Sequence, residues 1–284
     1  MNKSSVLSRV VWVTIFGCLI ACEEPVEGCL DAAATNFSVS ADGPCLDCCT
    51  YPVLKADFAH QWITIENDTT NFRYDSAYTI APWDQVPVQF QRIKFYIAQM
   101  HLWNGTDSVL VNDTITLTVG NGATLDVEDN FGLVDRDLFD DVELGSFRSP
   151  GEYDGISFWL GIPTEYQSAD PTLVPGDHPL RIQSDSLNWE ESLGYISNKV
   201  VFFRDTITGS DSTVINVIEP VYLKIDLSET ITVAGGFDVV LEFDIFYNRW
   251  FGNLNLATAT VAEISQQIVS NLSNSIAFSG LTLE

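Results

Sequence analysis

The motif H-x-W occurs twice in the sequence, and its histidines are the residues best suited to chemistry. His60 and His101 each stand two residues before a tryptophan, Trp62 and Trp103, in a chain that has three histidines. In an exported protein, where copper is available, two imidazoles presented in the same way favour an imidazole-ligated metal. A single inward histidine is more often a hydrogen-bonded core residue, and that interpretation stays open for each of them.

Both motifs lie in segments whose residues alternate as in a β-strand, over residues 53–65 and 88–103. Because successive side chains of a strand point to opposite faces, each histidine shares a face with its own tryptophan. The apolar residues expected on these faces are Leu54, Ala56 and Phe58 in the first strand and Ile93, Phe95 and Ile97 in the second. We therefore expect both imidazoles to point inward, and to share a coordination sphere if the two strands are neighbours or face each other across a sandwich.

Three further residues are candidates to complete a copper site. Trp62 and Trp189 are indoles that could lie beside a redox-active ion, and His178 is the remaining histidine. His178 lies in a loop flanked by prolines, which we expect to be exposed. We therefore expect the replacement of His178 to weaken copper binding less than the replacement of His60.

Four cysteines within 21 positions form a second cluster: Cys29, Cys45, Cys48 and Cys49. In an oxidising compartment such a cluster is typical of disulfides that hold together a segment too small to build its own core. Cys45 and Cys48 also have the C-x-x-C spacing of zinc and redox sites, but a second pair or a βαβ context is missing. We expect two disulfides rather than a metal, and the sequence leaves their pairing open. The segment resembles a short Cys-rich module recurrent in exported proteins of Bacteroidota, which implies a rigid spacer.

The N-terminus has the features of an export signal. Lys3 and Arg9 precede an apolar run, residues 10–21, that is too short to span a bilayer. The run ends in L-I-A-C at 19–22, which resembles the lipobox of bacterial lipoproteins, in which the residue at Cys22 is acylated and becomes the mature N-terminus. An ordinary secretory signal with an incidental cysteine is the alternative.

The expected location is the outer membrane, on its periplasmic side or at the cell surface. The two glutamates after Cys22 are similar to surface-export signals of Bacteroidota lipoproteins. The sequence then divides into a signal peptide (1–21), a lipid tether (22–27), a Cys-rich module (28–52) and one β domain (53–284). The expected partner is the membrane itself, to which lipid chains on Cys22 would attach the protein without a spanning helix.

Charge and missing motifs exclude several classes of function. The chain of 284 residues has 39 acidic and 13 basic residues, a net charge of −26, and loss of the signal peptide removes two basic residues and leaves −28. Nucleic acid is not an expected partner, because its phosphates require a basic surface. Motifs of serine hydrolases, zincins and nucleotide-binding loops are missing, and we expect no enzyme. The acidic stretch 126–141 is interpreted as a solvated loop, with Ca²⁺ binding as the alternative.

The remaining pattern predicts an all-β domain. Short alternating runs continue to residue 247, separated by turn sequences such as Asn104-Gly105 and Gly235-Gly236. This arrangement favours an antiparallel β-sandwich or barrel-like fold. Apolar residues at helical spacing predict one helix over 257–271 near the C-terminus.

Four motifs in order resemble the MbnP-like domain family, exported copper-binding proteins first associated with methanobactin gene cassettes. The motifs are FAH at 58–60, IKFYIAQMHL at 93–102, YDGISFWLGIP at 153–163, and LNW at 187–189 followed by GYI at 194–196. The resemblance implies a β-sandwich-like domain that binds copper through histidines. It also implies, in some members, a tryptophan oxidised to kynurenine and an associated dihaem peroxidase-like partner that performs the oxidation.

The family's functional residues are matched in part. His60 stands where many members have a histidine in the first strand, and His101 stands in the tyrosine-containing strand motif. Trp189 matches the first tryptophan of a W-x-W pattern, but Glu191 occupies the second position, and Ser168 replaces a histidine in a later motif. A scaffold without copper is therefore the alternative: a lipid-anchored sandwich whose exposed tryptophans bind a carbohydrate or another surface protein.

Overall fold

The structure is a computed structural model that describes residues 25–74, 76–80, 86–120, 122–137, 140–182, 189–207 and 209–284. The expected signal peptide and the lipidation site Cys22 lie outside these residues. Within the described ranges, no helix reaches the length and apolar character needed to cross a bilayer.

Strands account for most of the regular structure. In chain order they are β1 (Glu27–Gly28), β2 (Gly43–Pro44), β3 (Val53–Ile63), β4 (Thr69–Asn71), β5 (Ala77–Tyr78), β6 (Val88–Asn104), β7 (Asp107–Val109), β8 (Thr114–Val119), β9 (Ala123–Glu128), β10 (Phe131–Asp135), β11 (Val142–Ser146), β12 (Gly151–Leu160), β13 (Trp189–Glu190), β14 (Gly194–Tyr195), β15 (Asn198–Phe203), β16 (Ser212–Val217), β17 (Val221–Val233), β18 (Val239–Phe246) and β19 (Ile276–Leu283). The two α-helices of the described ranges are α1 (Tyr247–Phe251) and α2 (Val261–Asn271).

Two sheets pack face to face, which confirms the predicted β-sandwich. The large sheet has eight strands in the order β16-β15-β6-β12-β17, with β5, β7 and β10 also paired to β6. The small sheet has five strands in the order β11-β3-β18-β19, with β4 paired to β3. Among the described residues of the two sheets, β3 and β18 form the one parallel pair, and the other ladders are antiparallel.

The main core lies between the two sheets and is rich in aromatic rings. Phe58 of β3 stacks on Phe243 of β18 at 5.3 Å and meets Phe95 of β6 edge to face at 5.6 Å. Burial of each such ring contributes about 1.5–3 kcal/mol. The two-residue alternation of β3 and β18 supplies this layer, because it places every second side chain on the inner face.

A second, smaller core covers the outer face of the large sheet. The β8–β9 hairpin contributes Leu117, which packs with Tyr96 of β6 and with Tyr195 of β14. The large sheet is therefore buried on both faces in this region. Stretch 126–141 is not the solvated loop that we predicted from its acidic residues, because parts of it form β9 and β10.

The N-terminal module is held by the two predicted disulfides, which join Cys29 to Cys49 and Cys45 to Cys48. Its short strands β1 and β2 pair in parallel, and Cys29 is buried beneath them. Such a module has too little apolar surface to fold on a core of its own, so cross-links replace the core.

Helix α2 confirms the predicted C-terminal helix. Thr260 caps its first turn, with Glu263 closing a reciprocal capping box, and Ile264 and Ile268 are buried against the sandwich. Helix α1 was not predicted. It has five residues and directly follows β18. Three of its side chains are buried: Tyr247, Trp250 and Phe251.

Candidate metal site

His60 occupies the inner face of β3, as its alternation predicted. Its neighbours along that face, Leu54, Ala56, Phe58 and Trp62, are buried. Burial lowers the pKa of His60 from 6.5 to about 4, and the positive charge of Arg136 acts in the same direction. The imidazole is therefore neutral near pH 7, which is the state that binds a metal.

A tyrosine from another part of the chain holds one nitrogen of this imidazole. Nδ1 of His60 is hydrogen-bonded to the hydroxyl of Tyr247 at 2.6 Å, and the two rings stack at 5.6 Å. Burial raises the pKa of Tyr247 well above its usual range, so the hydroxyl keeps its proton. Nε2 of His60 makes no hydrogen bond to any described residue.

His60 lines a cavity of about 530 Å³ at an open edge of the sandwich. The walls come from β3, β10, β11 and the segment 177–179, so both sheets contribute. Seven carboxylate residues line it: Asp57, Asp129, Asp135, Asp140, Asp141, Glu143 and Asp177. None of the described lining residues is lysine or arginine, and such a cavity attracts cations.

Asp57 and Asp141, which both line the cavity, act on each other, and Glu242, which does not line it, acts on Asp57 as well. The pKa of Asp57 is raised, first by burial and then by the negative charges of Asp141 and Glu242. A cation bound beside these carboxylates would offset their mutual repulsion, since it adds an opposite charge.

His178 also lines the cavity, but both of its nitrogens are already used. Nε2 lies 2.7 Å from Oδ1 of Asp129, and Nδ1 accepts a hydrogen bond from the backbone N–H of Leu180 at 3.1 Å. The Leu180 contact places the imidazole proton on Nε2, where it is donated to Asp129. The prediction that His178 is exposed is wrong, since its side chain is 11% exposed.

His101 lies on the other side of the large sheet. The apolar residues on the inner face of β6 are Val88 and Phe90, then Ile93, Phe95 and Ile97, and then Met100 and Leu102. The alternation therefore changes twice, and the second change, from odd to even positions, comes directly before His101. The prediction that His101 shares a face with Ile93, Phe95 and Ile97 is wrong, and the structure does not bring His101 together with His60.

A β-bulge at Gln99 causes this change. Gln99 has a positive φ of 54°, and the register of β6 against β12 shifts between the Ser157–His101 and Trp159–Ala98 pairs. Asn130 stabilises the bulge, because its side-chain amide bonds both the N–H and the C=O of Met100. The sequence signal was available: Ile93, Phe95 and Ile97 are apolar at odd positions, whereas Met100 and Leu102 are apolar at even positions.

On the outer face, His101 is part of a packed surface. Its Nδ1 lies 3.2 Å from the hydroxyl of Ser108, and its ring stacks on Trp103 at 5.9 Å, as their shared face predicted. Partial burial lowers the pKa of His101, while Glu128 acts against this. Lys224 covers the ring of Trp103 at 4.7 Å.

The candidate tryptophans take up different positions. Trp62 is buried on the same face as His60 and packs on Tyr78 at 4.3 Å and on Phe72. Trp189 lies in the β13–β14 hairpin, half-buried against the second core, away from the residues that line the cavity. The alternative function predicted several tryptophans on one exposed platform. The tryptophans of the described ranges are all buried or half-buried: Trp62, Trp103, Trp159, Trp189 and Trp250.

The donor atoms of the cavity suit copper by their chemical type, although they do not converge into a coordination sphere. An unpartnered imidazole nitrogen and carboxylate oxygens are donors that Cu(II) accepts. Within the described ranges, the one group of three candidate ligands whose atoms lie within 4.8 Å of one another is Cys45, Cys48 and Cys49, and these are disulfide-bonded. Among the described residues, His60 is therefore a nitrogen donor held in place by Tyr247, without two further ligand atoms already gathered around it.

Comparison with known proteins supports the resemblance seen in the sequence. A family model described as MbnP matches residues 54–266, which is more than half of the chain. Among solved structures, MbnP from Methylosinus trichosporium is similar, with 10% sequence identity and a TM-score of 0.39, over 81% of this chain and 98% of that chain. No curated protein matches the sequence.

Proposed function

The chain belongs to the MbnP family, and we propose that it is an exported, lipid-anchored protein that binds copper through His60. The observation that carries the proposal is the neutral imidazole of His60, whose Nε2 has no hydrogen-bond partner among the described residues and which lines an acidic cavity. Binding, rather than catalysis, is the proposed activity.

His60 and the cavity carboxylates have separate roles in this proposal. The carboxylates raise the local concentration of cations, and His60 supplies a nitrogen donor that needs no proton loss near pH 7. The carboxylates that line the cavity are the candidates to complete the coordination. A bound copper ion would supply a redox-active centre.

His178 is a secondary candidate ligand in this proposal. It can bind copper through Nε2 only after Asp129 releases that nitrogen, so we expect it to contribute less than His60. His101 has no role in the proposed site.

The other family features are carried over as proposals. Cys22 is the proposed site of lipidation, which would place the domain at the outer membrane. Kynurenine at Trp189 or Trp62, and a dihaem peroxidase-like partner that forms it, follow from the resemblance. Trp62 shares the face of His60 and is the better placed of the two. Intact-mass measurement would show kynurenine as the net gain of one oxygen atom and loss of one carbon atom.

Copper titration of His60→Ala tests the proposed site. We expect this variant to lose tight copper binding, because no other described cavity residue offers an unpartnered imidazole nitrogen. His101→Ala is the matched control, since it removes an imidazole from the other face of the sheet and should bind copper like the wild type. Copper bound equally well by wild type and His60→Ala, measured on metal-free protein by competition with a chelator, would contradict the proposal.

A further inference from the structure

We infer that Tyr247 is a positioning residue for His60: its hydroxyl engages Nδ1, so that copper is bound through Nε2. This inference rests on the proposed function, because it names the coordinating atom of the same site.

The register of the small sheet brings the two residues together. Strands β3 and β18 run in parallel, with Ile245 opposite His60 and Phe246 opposite Gln61. Tyr247 follows directly as the first residue of α1, where the chain turns inward. A contact across 187 positions of sequence is thus fixed by a ladder of backbone pairs.

The ring of Tyr247 cannot move away from this position without disturbing the core. It is fully buried, and it packs on Phe72 at 4.7 Å and on Trp250 at 5.0 Å. Trp250 is itself held by a hydrogen bond from its Nε1 to Ser275. Because close-packed interiors resist displacement, the hydroxyl is a fixed point for the imidazole.

This fixed hydroxyl decides which nitrogen of His60 is available. A metal needs a nitrogen lone pair, and Nδ1 is engaged at 2.6 Å, whereas Nε2 has no described partner. Copper binding at Nε2 requires the tautomer in which Nδ1–H donates to the hydroxyl oxygen of Tyr247, because that tautomer leaves the Nε2 lone pair free. In the other tautomer the hydroxyl donates to Nδ1 and Nε2 carries the proton. Partners of this kind orient metal-binding histidines and raise their basicity.

The other two histidines lack this arrangement. His178 has both nitrogens engaged, by Asp129 and by the backbone of Leu180. His101 is held at Nδ1 by Ser108, which is a residue of the exposed strand β7 and lies on the outer face. Among the three, His60 alone combines an engaged Nδ1, an Nε2 without a described partner and a place in the acidic cavity.

The substitution Tyr247→Phe tests the inference, because it removes the hydroxyl and keeps the packed ring. Tyr153→Phe is the matched control: Tyr153 is also buried and donates to a backbone oxygen, that of Ser149, outside the cavity. We expect the copper dissociation constant to rise roughly 10- to 100-fold in Tyr247→Phe and to stay unchanged in Tyr153→Phe.

A spectroscopic readout separates positioning from a general loss of stability. In mature protein labelled with ¹⁵N-histidine, added Zn²⁺, a diamagnetic ion that also accepts imidazole and carboxylate donors, should shift the Nε2 resonance of His60 while Nδ1 stays protonated. In Tyr247→Phe without metal, the two nitrogens should share the proton more evenly than in the wild type.

Each outcome decides the inference. Metal binding at Nδ1, or unchanged affinity in Tyr247→Phe when His60→Ala has lost binding, would overturn the role of Tyr247 and leave the copper site standing. Copper binding that is absent from the wild type, or insensitive to His60→Ala, would overturn the proposed function and this inference together.

Discussion

Strand β3 keeps its two-residue alternation from Leu54 to Trp62, whereas strand β6 changes face before His101. Both strands carry the H-x-W motif, and both contribute to the same core through Phe58 and Phe95. One extra residue in the ladder of β6 is enough to send its histidine to the opposite side of the sheet. Spacing within a motif therefore fixes which residues share a face, but the bulge decides which face that is.

The two histidines then differ in what surrounds them. His60 has an engaged Nδ1, a deeply lowered pKa and an acidic cavity. His101 is held by a serine, stacks on Trp103 and lies on a face covered by Lys224. The same side chain is thus a candidate ligand in one strand and a surface-packing residue in the other.

Deletion of Gln99 should have the largest effect on this difference. Without the bulge, the original alternation would continue, so that His101 would turn inward and Met100 and Leu102 would leave the core. We expect a loss of about 3–6 kcal/mol in the free energy of unfolding, since two buried apolar side chains become exposed. Chemical denaturation measures this loss.

A milder variant checks the cause. Asn130→Ala leaves Gln99 in place but removes the amide that bonds Met100, and it should cost about 2 kcal/mol. A deletion variant as stable as the wild type would show that the bulge does not hold the register of β6.

The pH dependence of stability should separate His60 from His101. The pKa of His60 falls from 6.5 in the unfolded chain to about 4 in the folded protein, so the unfolded state binds more protons between these values. The stability that the neutral imidazole contributes is fully present above pH 6.5 and is lost as the pH falls toward about 4. The expected loss is about 3 kcal/mol.

The variant His60→Gln cannot titrate and should lose less stability on acidification. Denaturation of copper-free protein at about pH 7.5 and about pH 4.5 gives the comparison. His101→Gln is the control, and we expect a smaller change because His101 is less buried. Equal pH dependence in wild type and His60→Gln would mean that His60 is not held neutral by burial.

The smallest effect is expected on the outer face. Lys224→Ala removes the cation above Trp103, a contact worth about 0.5–1 kcal/mol at an exposed site. Copper affinity should not change, and tryptophan fluorescence should report a more solvated ring. A clear loss of copper binding in this variant would contradict our proposal, because it would show that copper binds on the outer face of the large sheet.

Much of the fold was predictable because its signals are local. The alternation over 53–65 predicted β3 and the inward position of His60. The four clustered cysteines predicted the disulfide-linked N-terminal module. The spacing of Ile264 and Ile268 gave α2 within a few residues. Acidic composition misled the prediction for 126–141, since Asp126 and Glu128 are exposed although they belong to strand β9, and Asp135 of β10 is buried in an ion pair with Lys94.

The sequence alone determined the main strands of the sandwich, such as β3, β6 and β18, that the cysteines pair and that His60 lies on an inward face, because periodicity and cysteine spacing act within short stretches of chain. Tertiary structure decided the rest. The parallel pairing of β3 with β18 places Tyr247 beside His60, and the packing of β10 near β11 surrounds the cavity with carboxylates. The amide of Asn130, from the loop before β10, stabilises the bulge that turns His101 outward. Each of these depends on register between segments far apart in sequence, and register is set by the combined backbone pairing and core packing of the whole domain.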